Sequence, residues 1–140
     1  MNEEIFLCSI CNINSGTCLE DCKFCSQSVR YKADIDRFKQ KEISLIQEEA
    51  INARDNGALG FCLVTADKGL NDKTLKFVCD IAQAVMEVAP ELRLIACNGT
   101  ATVEQLLTLK EAGIKAYNHN LETSESFYKE ICTTHPWSER

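Results

Sequence analysis

Four short strand-like segments, each separated from the next by a helix-patterned segment, constrain the fold of this chain more than any other feature. Residues 5–11 (IFLCSIC), 59–65 (LGFCLVT) and 92–97 (LRLIAC) read as short, largely apolar strands, and 114–120 (IKAYNHN), more polar toward its end, as a fourth. Ser44 and Gln47 form a capping-box pair for a helix over about 45–56, which Gly57 closes. Asn71 or Asp72 opens a second helix, with Leu75, Val78, Cys79, Ala82, Val85 and Met86 on one face and Pro90 beyond its end. Thr102 and Gln105 form another capping box for a helix over about 103–112, stopped by Gly113, and TSESFYKEI begins a further helical turn or two. Parallel strands need crossovers of a dozen or more residues, and these intervals supply them. The expectation is an α/β fold of parallel βα repeats in one domain, with no linker, low-complexity tract or clear repeat.

A closed barrel and an open sheet both accommodate that pattern. The placement of chemistry favours the barrel, because function gathers at the C-terminal ends of parallel barrel strands. Cys18, Cys22 and Cys25 follow the first run, Cys62 lies in the second, Cys97 ends the third, and Asn118, His119 and Asn120 end the fourth. A full eight-stranded barrel takes about 250 residues, whereas this sequence has 140. The expectation is therefore the N-terminal half of a TIM-type (β/α)8 barrel, apparently truncated, with a cysteine loop over 12–30 and βα units to about 130. Such a half-barrel exposes an edge strand and apolar inner faces, so it is expected to associate or aggregate on its own. Pro136 reads as the first turn of another helix.

Cys18, Cys22 and Cys25 stand as C-x3-C-x2-C, with Phe24 just before the last. Three thiolates from one short loop can hold three corners of a cubane iron–sulfur cluster and leave the fourth iron free to bind a small molecule. The competing reading is a zinc ribbon of Cys8, Cys11, Cys22 and Cys25. It is disfavoured, since the ten residues between the pairs are short for such a loop, Cys18 is left over, and Cys8 and Cys11 lie in a strand pattern. Those two cysteines and Cys79 read as packing, Cys132 has no assigned role, and His135 before Pro136 reads as an ordinary histidine. Asp72, Asp80 and Glu87, and Glu48 with Glu49, read as solvated helix faces.

With 15 basic against 21 acidic residues and a net charge of −6, there is no basic stripe for nucleic acid. MNEEIFLCSI carries acids where a signal peptide needs a positive region, and no apolar run is long enough to span a membrane. Nine unevenly spaced cysteines suit thiolate ligands in a reducing cytoplasm better than a disulfide framework.

The triplet with its aromatic neighbour resembles the signature of radical S-adenosylmethionine enzymes. Within them, GTCLEDCKFCSQS (16–28), FCLV around Cys62, AC at Cys97, YNHNLETS (117–124) and ICTTHPWSER (131–140) look like the biotin synthase family, from about residue 5 to the end. The resemblance implies a [4Fe–4S] cluster on Cys18, Cys22 and Cys25, whose open iron binds S-adenosylmethionine. It implies a radical sulfur insertion converting dethiobiotin to biotin, making the full-length protein a sulfurtransferase. Cys62 and Cys97 would be two ligands of a second, [2Fe–2S] cluster that donates the sulfur; its remaining cysteine and arginine have no match in this chain. Phe24 would lie against the nucleoside, Asn120 and Glu122 would contact the S-adenosylmethionine ribose, and Asn118 is a candidate contact for the substrate's ureido group. His119 takes a structural or adenine-facing place. Expected partners are the small-molecule substrate, a flavodoxin- or ferredoxin-type electron donor and, at full length, a second copy of the chain. Departures from the family pattern are Glu122 where Asp is usual, no Arg before Phe61-Cys62, and no Trp shortly after Cys62.

Overall fold

The computed structural model describes residues 5–140. Its elements run β1 (Cys8–Asn12), α1 (Ile43–Asp55), β2 (Gly60–Val64), α2 (Asp72–Val88), β3 (Arg93–Cys97), α3 (Val103–Glu111), β4 (Ala116–Tyr117) and α4 (Glu125–Ile131), followed by a 3-10 turn, Trp137–Glu139. All strand pairs are parallel and the sheet order is β1-β2-β3-β4. A doubly wound sheet reverses its strand order at a switch point, whereas in a barrel each strand pairs with its neighbour in sequence. This order is that of half a (β/α)8 barrel, which decides between the two architectures left open by the strand–helix alternation.

Strand alternation explains where the core sits. Cys11, Phe61, Leu63, Leu94 and Ala96 point to one face and meet Ile46, Ala50, Val78, Ile81, Ala82, Val85 and Leu109 from α1, α2 and α3 in a single buried cluster. The register aligns Ile10 with Cys62 and Cys62 with Ile95, so these residues share the opposite face with Val64 and Cys97. There Ile10 is 70% exposed.

α2 begins as its sequence suggests, with the Asn71 side chain accepting from the Thr74 N–H. The Thr102–Gln105 capping box is complete, each side chain bonded to the other residue's backbone N–H. Cys79 is half-buried against the core.

Four expectations are corrected. β1 starts at Cys8 rather than residue 5; Ile5, Phe6 and Leu7 are exposed, although the Leu7 carbonyl still accepts from the Leu59 and Gly60 N–H groups. Cys8 is likewise exposed, so of the two strand cysteines only Cys11 packs in the core. α1 starts at Ile43 after Glu42 with no side-chain cap, because Gln47 instead donates to the Ala84 carbonyl on α2. Pro136 precedes a single 3-10 turn rather than opening an α-helix.

β4 is only two residues long, although N–H donation from Lys115 to Leu94 and from Asn118 to Ala96 continues its pairing on either side. α4 does not join the main core. Tyr128, midway along it, and Cys132, just past its end, pack instead against Cys22 and Cys25 of the cysteine loop, with Ile131 and Trp137 beside them.

Candidate functional site

The loop after β1 is folded back on itself by its own backbone. Cys18 donates to the Gln27 carbonyl and accepts from Val29, Cys25 donates to the Cys22 carbonyl, and the Ser28 hydroxyl donates to the Glu20 carbonyl at 2.5 Å. Gln27 Oε1 accepts from Gly16 N–H at 2.7 Å and from the Ser15 hydroxyl. These bonds pin both ends of the loop and turn Cys18, Cys22 and Cys25 into one cavity of about 210 Å³ at the C-terminal ends of the strands.

From the strand ends, the same cavity receives Val64 at the end of β2 and Thr65 after it, Cys97 at the end of β3 and Gly99 beyond it, and His119, Asn120 and Glu122 after β4. Phe24 lines it while remaining half-exposed. Of the sequence-predicted site residues, Cys18, Cys22, Phe24, Cys25, Cys97, Asn120 and Glu122 therefore meet in one place. Cys62 does not line the cavity. It sits two residues deeper on the face that carries Cys97, paired with Ile95, and is buried. Asn118 is exposed just past β4 and does not line it either.

Gly99 is required at the rim. Its φ of +75° lies in the left-handed region, and a Cβ there would stand 2.1 Å from the Lys68 carbonyl oxygen. That approach lets Thr100 donate to Lys68 and Leu70 donate to Thr100, which ties the loops after β2 and β3 together.

Burial disfavours the ionised thiol at Cys18, Cys22, Cys62 and Cys97. It pushes the Cys62 thiol up to about 12, with Cys97 nearby adding to the effect. Burial likewise raises Cys18, and raises Cys97 with Glu122 contributing. Cys22 is raised by burial and then by the adjoining Cys132. Thiols held in this way become thiolates when a metal ion replaces the proton.

The donor set has a further property. Among the described residues, Cys18, Cys22 and Cys25 do not form a group whose sulfurs all lie within 4.8 Å of one another, as ligands of one ion would. Three thiols on one loop are the donor type of a cubane cluster, whose corners stand further apart than the ligands of a single ion. Cys8 and Cys11 point to opposite faces of β1, the first exposed and the second buried, which removes the ribbon-type zinc reading. At the other side of the cavity, His119 Nε2 is buried with no hydrogen-bond partner, and burial lowers the pKa of that imidazole. An unpaired buried nitrogen on a cavity wall is suited to a hydrogen bond from a ligand.

Two residues with no assigned functional role lie against this site. Cys132 is buried with its Sγ 3.7 Å from that of Cys22. His135 is no ordinary surface histidine: it is buried, its Nδ1 bonded to Glu20 Oε2 and its Nε2 2.6 Å from the Tyr128 hydroxyl. Both come within reach of the loop because Asp21 accepts from the Thr133 and Thr134 N–H groups at 2.8 and 3.1 Å. The resemblance of ICTTHPWSER marked the segment, but no spacing rule connects residue 132 to residue 22.

Comparison with known proteins bears on this arrangement. The Radical SAM superfamily profile matches residues 13–140. The chain is 79% identical over 140 residues to a biotin synthase of Sulfurimonas denitrificans, covering 100% of this chain and 50% of that protein. It is 64% identical over 138 residues to a biotin synthase of a Sulfurovum species, covering 99% and 48%. The chain thus spans about half the length of the curated relatives it matches. Among solved structures, an [FeFe]-hydrogenase maturase from Carboxydothermus hydrogenoformans superposes with a TM-score of 0.79 at 22% identity, over 94% of this chain and 30% of that one. That likeness is one of fold. The cysteine loop at the barrel's C-terminal rim and the profile match over residues 13–140 have one reading: this chain belongs to the radical SAM superfamily, and it matches biotin synthases along its whole length.

Proposed function

We propose that this chain forms the cofactor-binding half of a biotin synthase, an enzyme inserting sulfur into dethiobiotin by radical chemistry. The observation that carries the reading is one cavity receiving the three loop cysteines together with Asn120, Glu122 and the unpaired His119 Nε2. Cys18, Cys22 and Cys25 would hold a [4Fe–4S] cluster, leaving one iron for S-adenosylmethionine. Bound there, such a cluster would supply the single electron for reductive cleavage of the S-adenosylmethionine sulfonium, and with it the radical chemistry of the reaction.

The chain's own residues bind, orient and shield. Asn120 and Glu122 provide an amide and a carboxylate for the ribose hydroxyls. The exposed face of Phe24 provides an apolar surface for the nucleoside, and His119 Nε2 a hydrogen-bonding atom. The loop hydrogen bonds of Gln27 and Ser28 keep the three thiols turned inward, so that little reorganisation is needed on assembly. Below, Cys62 and Cys97 on the inner sheet face would supply two thiolates to a [2Fe–2S] sulfur donor. Two thiols are fewer than such a cluster needs, and the remaining ligands must come from outside these residues. Asn118, exposed just past β4 and outside the cavity, would contact the ureido group of the substrate. The reading includes a flavodoxin- or ferredoxin-type reductant, a homodimer, and a reducing cytoplasm, which suits nine free cysteines.

Anaerobic reconstitution of this chain with iron and sulfide, followed by electron paramagnetic resonance of the reduced sample, tests the proposal. The expected result is a [4Fe–4S]⁺ signal that changes on adding S-adenosylmethionine. A reconstituted cluster indifferent to S-adenosylmethionine would overturn it.

A further inference from the structure

We propose that Cys22, Cys132 and His135 form a mononuclear site for a thiophilic divalent cation such as Zn²⁺, and that this cation and the iron–sulfur cluster compete for Cys22. The site lies to one side of the cysteine triplet and uses neither Cys18 nor Cys25. Its three donor atoms fall within 4.8 Å of one another, the only such group of Cys, His and carboxylate residues among those described. The two sulfurs are 3.7 Å apart. Two thiolates on one tetrahedral zinc, each at 2.3 Å, are separated by about 3.8 Å. The cysteines are thus already spaced as a single ion requires.

The imidazole, the third donor, is held by hydrogen bonds at both nitrogens. Arg140 Nε donates to the Tyr128 hydroxyl at 2.8 Å, and that hydroxyl lies 2.6 Å from His135 Nε2. On the other side of the ring, Nδ1 meets the Glu20 carboxylate. The donor chain from Arg140 through Tyr128 gives Nε2 the acceptor role, and Nδ1–H then donates to Glu20. A carboxylate holding the far N–H of a histidine is the usual outer support of a metal-ligating imidazole. Cys132 Sγ lies 3.4 Å from Nδ1 and 3.9 Å from Nε2, so a cation held at Nε2 would displace the Tyr128 hydroxyl and require the ring to turn toward the sulfurs. Two S–H protons leave to solvent on binding, and the two thiolates balance the charge of the dication. Cys22 and His135 both line the cavity, so a fourth position faces it and can take water.

All three residues are at most 7% exposed, which protects the site from hydrolytic loss of the ion. A Cys22 sulfur committed to this cation is withdrawn from the cluster loop, so a thiophilic cation would block cluster assembly. That competition rests on the proposed role of Cys22 as a cluster ligand; the cation site does not.

The test uses the apo chain, reduced and anaerobic, titrated with Co²⁺ as a spectroscopic stand-in for Zn²⁺. One equivalent should give the ligand-field bands of tetrahedral cobalt with thiolate-to-metal charge transfer, and Zn²⁺ should displace it. Cys132→Ser and, separately, His135→Asn should weaken binding by about tenfold or more, whereas Cys18→Ser should leave it unchanged. Octahedral or absent cobalt, full affinity in both the Cys132 and His135 variants, or loss in Cys18→Ser would overturn the site. Circular dichroism identifies a variant that fails to fold, and the other then carries the result. The zinc-loaded chain is next given iron and sulfide. Cluster should form in Cys132→Ser but not in the unsubstituted chain, and cluster forming alongside retained zinc would overturn the competition. Tetrahedral cobalt binding combined with no cluster in the zinc-free chain would leave the cation site standing and remove Cys22 from the cluster reading.

Discussion

Residue 122 is the one non-glycine position among those described with a positive φ, at 66°. Left-handed backbone costs a side chain with a Cβ about 1 kcal/mol or more, and Asp or Asn tolerates it better than Glu. Glu122→Asp is therefore expected to relieve strain and keep S-adenosylmethionine binding. Glu122→Ala should weaken it by about tenfold through loss of a charged hydrogen bond, as anaerobic calorimetry on the reconstituted chain would measure. Cys18→Ala should abolish the S-adenosylmethionine-responsive paramagnetic signal, and Cys62→Ala should leave it in place. The same spectrum recorded on both variants checks the division between the two proposed clusters. At this scale the triplet was legible in sequence because its geometry is local: three thiols within eight residues share one loop whatever the rest of the chain does. Cys132 was not, since its partner is Cys22, 110 residues away.

Helix starts give a paired comparison between elements. Thr102 caps α3 with its side chain and Gln105 returns the bond, so Thr102→Ala should destabilise the chain by about 1 kcal/mol. Ser44 stands in an equally good sequence pattern, yet α1 begins before it and has no side-chain cap. Ser44→Ala should change the urea midpoint little. Equal effects of the two substitutions would contradict the helix boundaries. The difference is tertiary: Gln47 reaches the Ala84 carbonyl on α2 and is not available to its own helix start. Between β3 and α3, Gly99→Ala should both lower stability and disturb the cavity rim, because the Cβ meets the Lys68 carbonyl in the loop after β2 at a positive φ. Loss of S-adenosylmethionine binding in a folded variant would be the readout.

Across the whole molecule, Asp21 links the cysteine loop to residues 133 and 134, more than a hundred positions along the chain. The Thr133 hydroxyl, followed by its N–H, holds the Asp21 carboxyl well below the usual carboxylate range. An unfolded aspartate titrates near about 3.9. A carboxyl depressed in the folded state contributes stability that is complete above that value and is lost as pH falls toward the folded one. The difference in urea midpoint between the chain and Asp21→Asn is therefore expected to be level from about pH 5 to 8 and to close below about pH 4. A gap that persists unchanged in acid would mean that the carboxylate charge does not make this tie. The inner sheet face adds a second expectation at this scale. Ile10, 70% exposed there, should bind a hydrophobic dye and favour concentration-dependent association, both reduced by Ile10→Ser. No helix among the described residues is long and apolar enough to cross a membrane.

The amino-acid sequence by itself determined the alternation of strands and helices, two of the helix caps and the cysteine loop. Each of these depends on side chains a few residues apart, where periodicity, capping and thiol spacing act directly. The strand-end chemistry favoured a barrel, and the tertiary structure settled it over an open sheet, since strand order depends on which segments pair and not on what each segment is. It also decided that β1 leaves Cys8 in solvent while Cys11 is buried, and that α4 leaves the main core to cover the cysteine loop. The placing of Cys132 and His135 beside Cys22 followed from that last choice. Contacts between residues far apart in the chain arise from the packing of whole elements, and no local pattern encodes them.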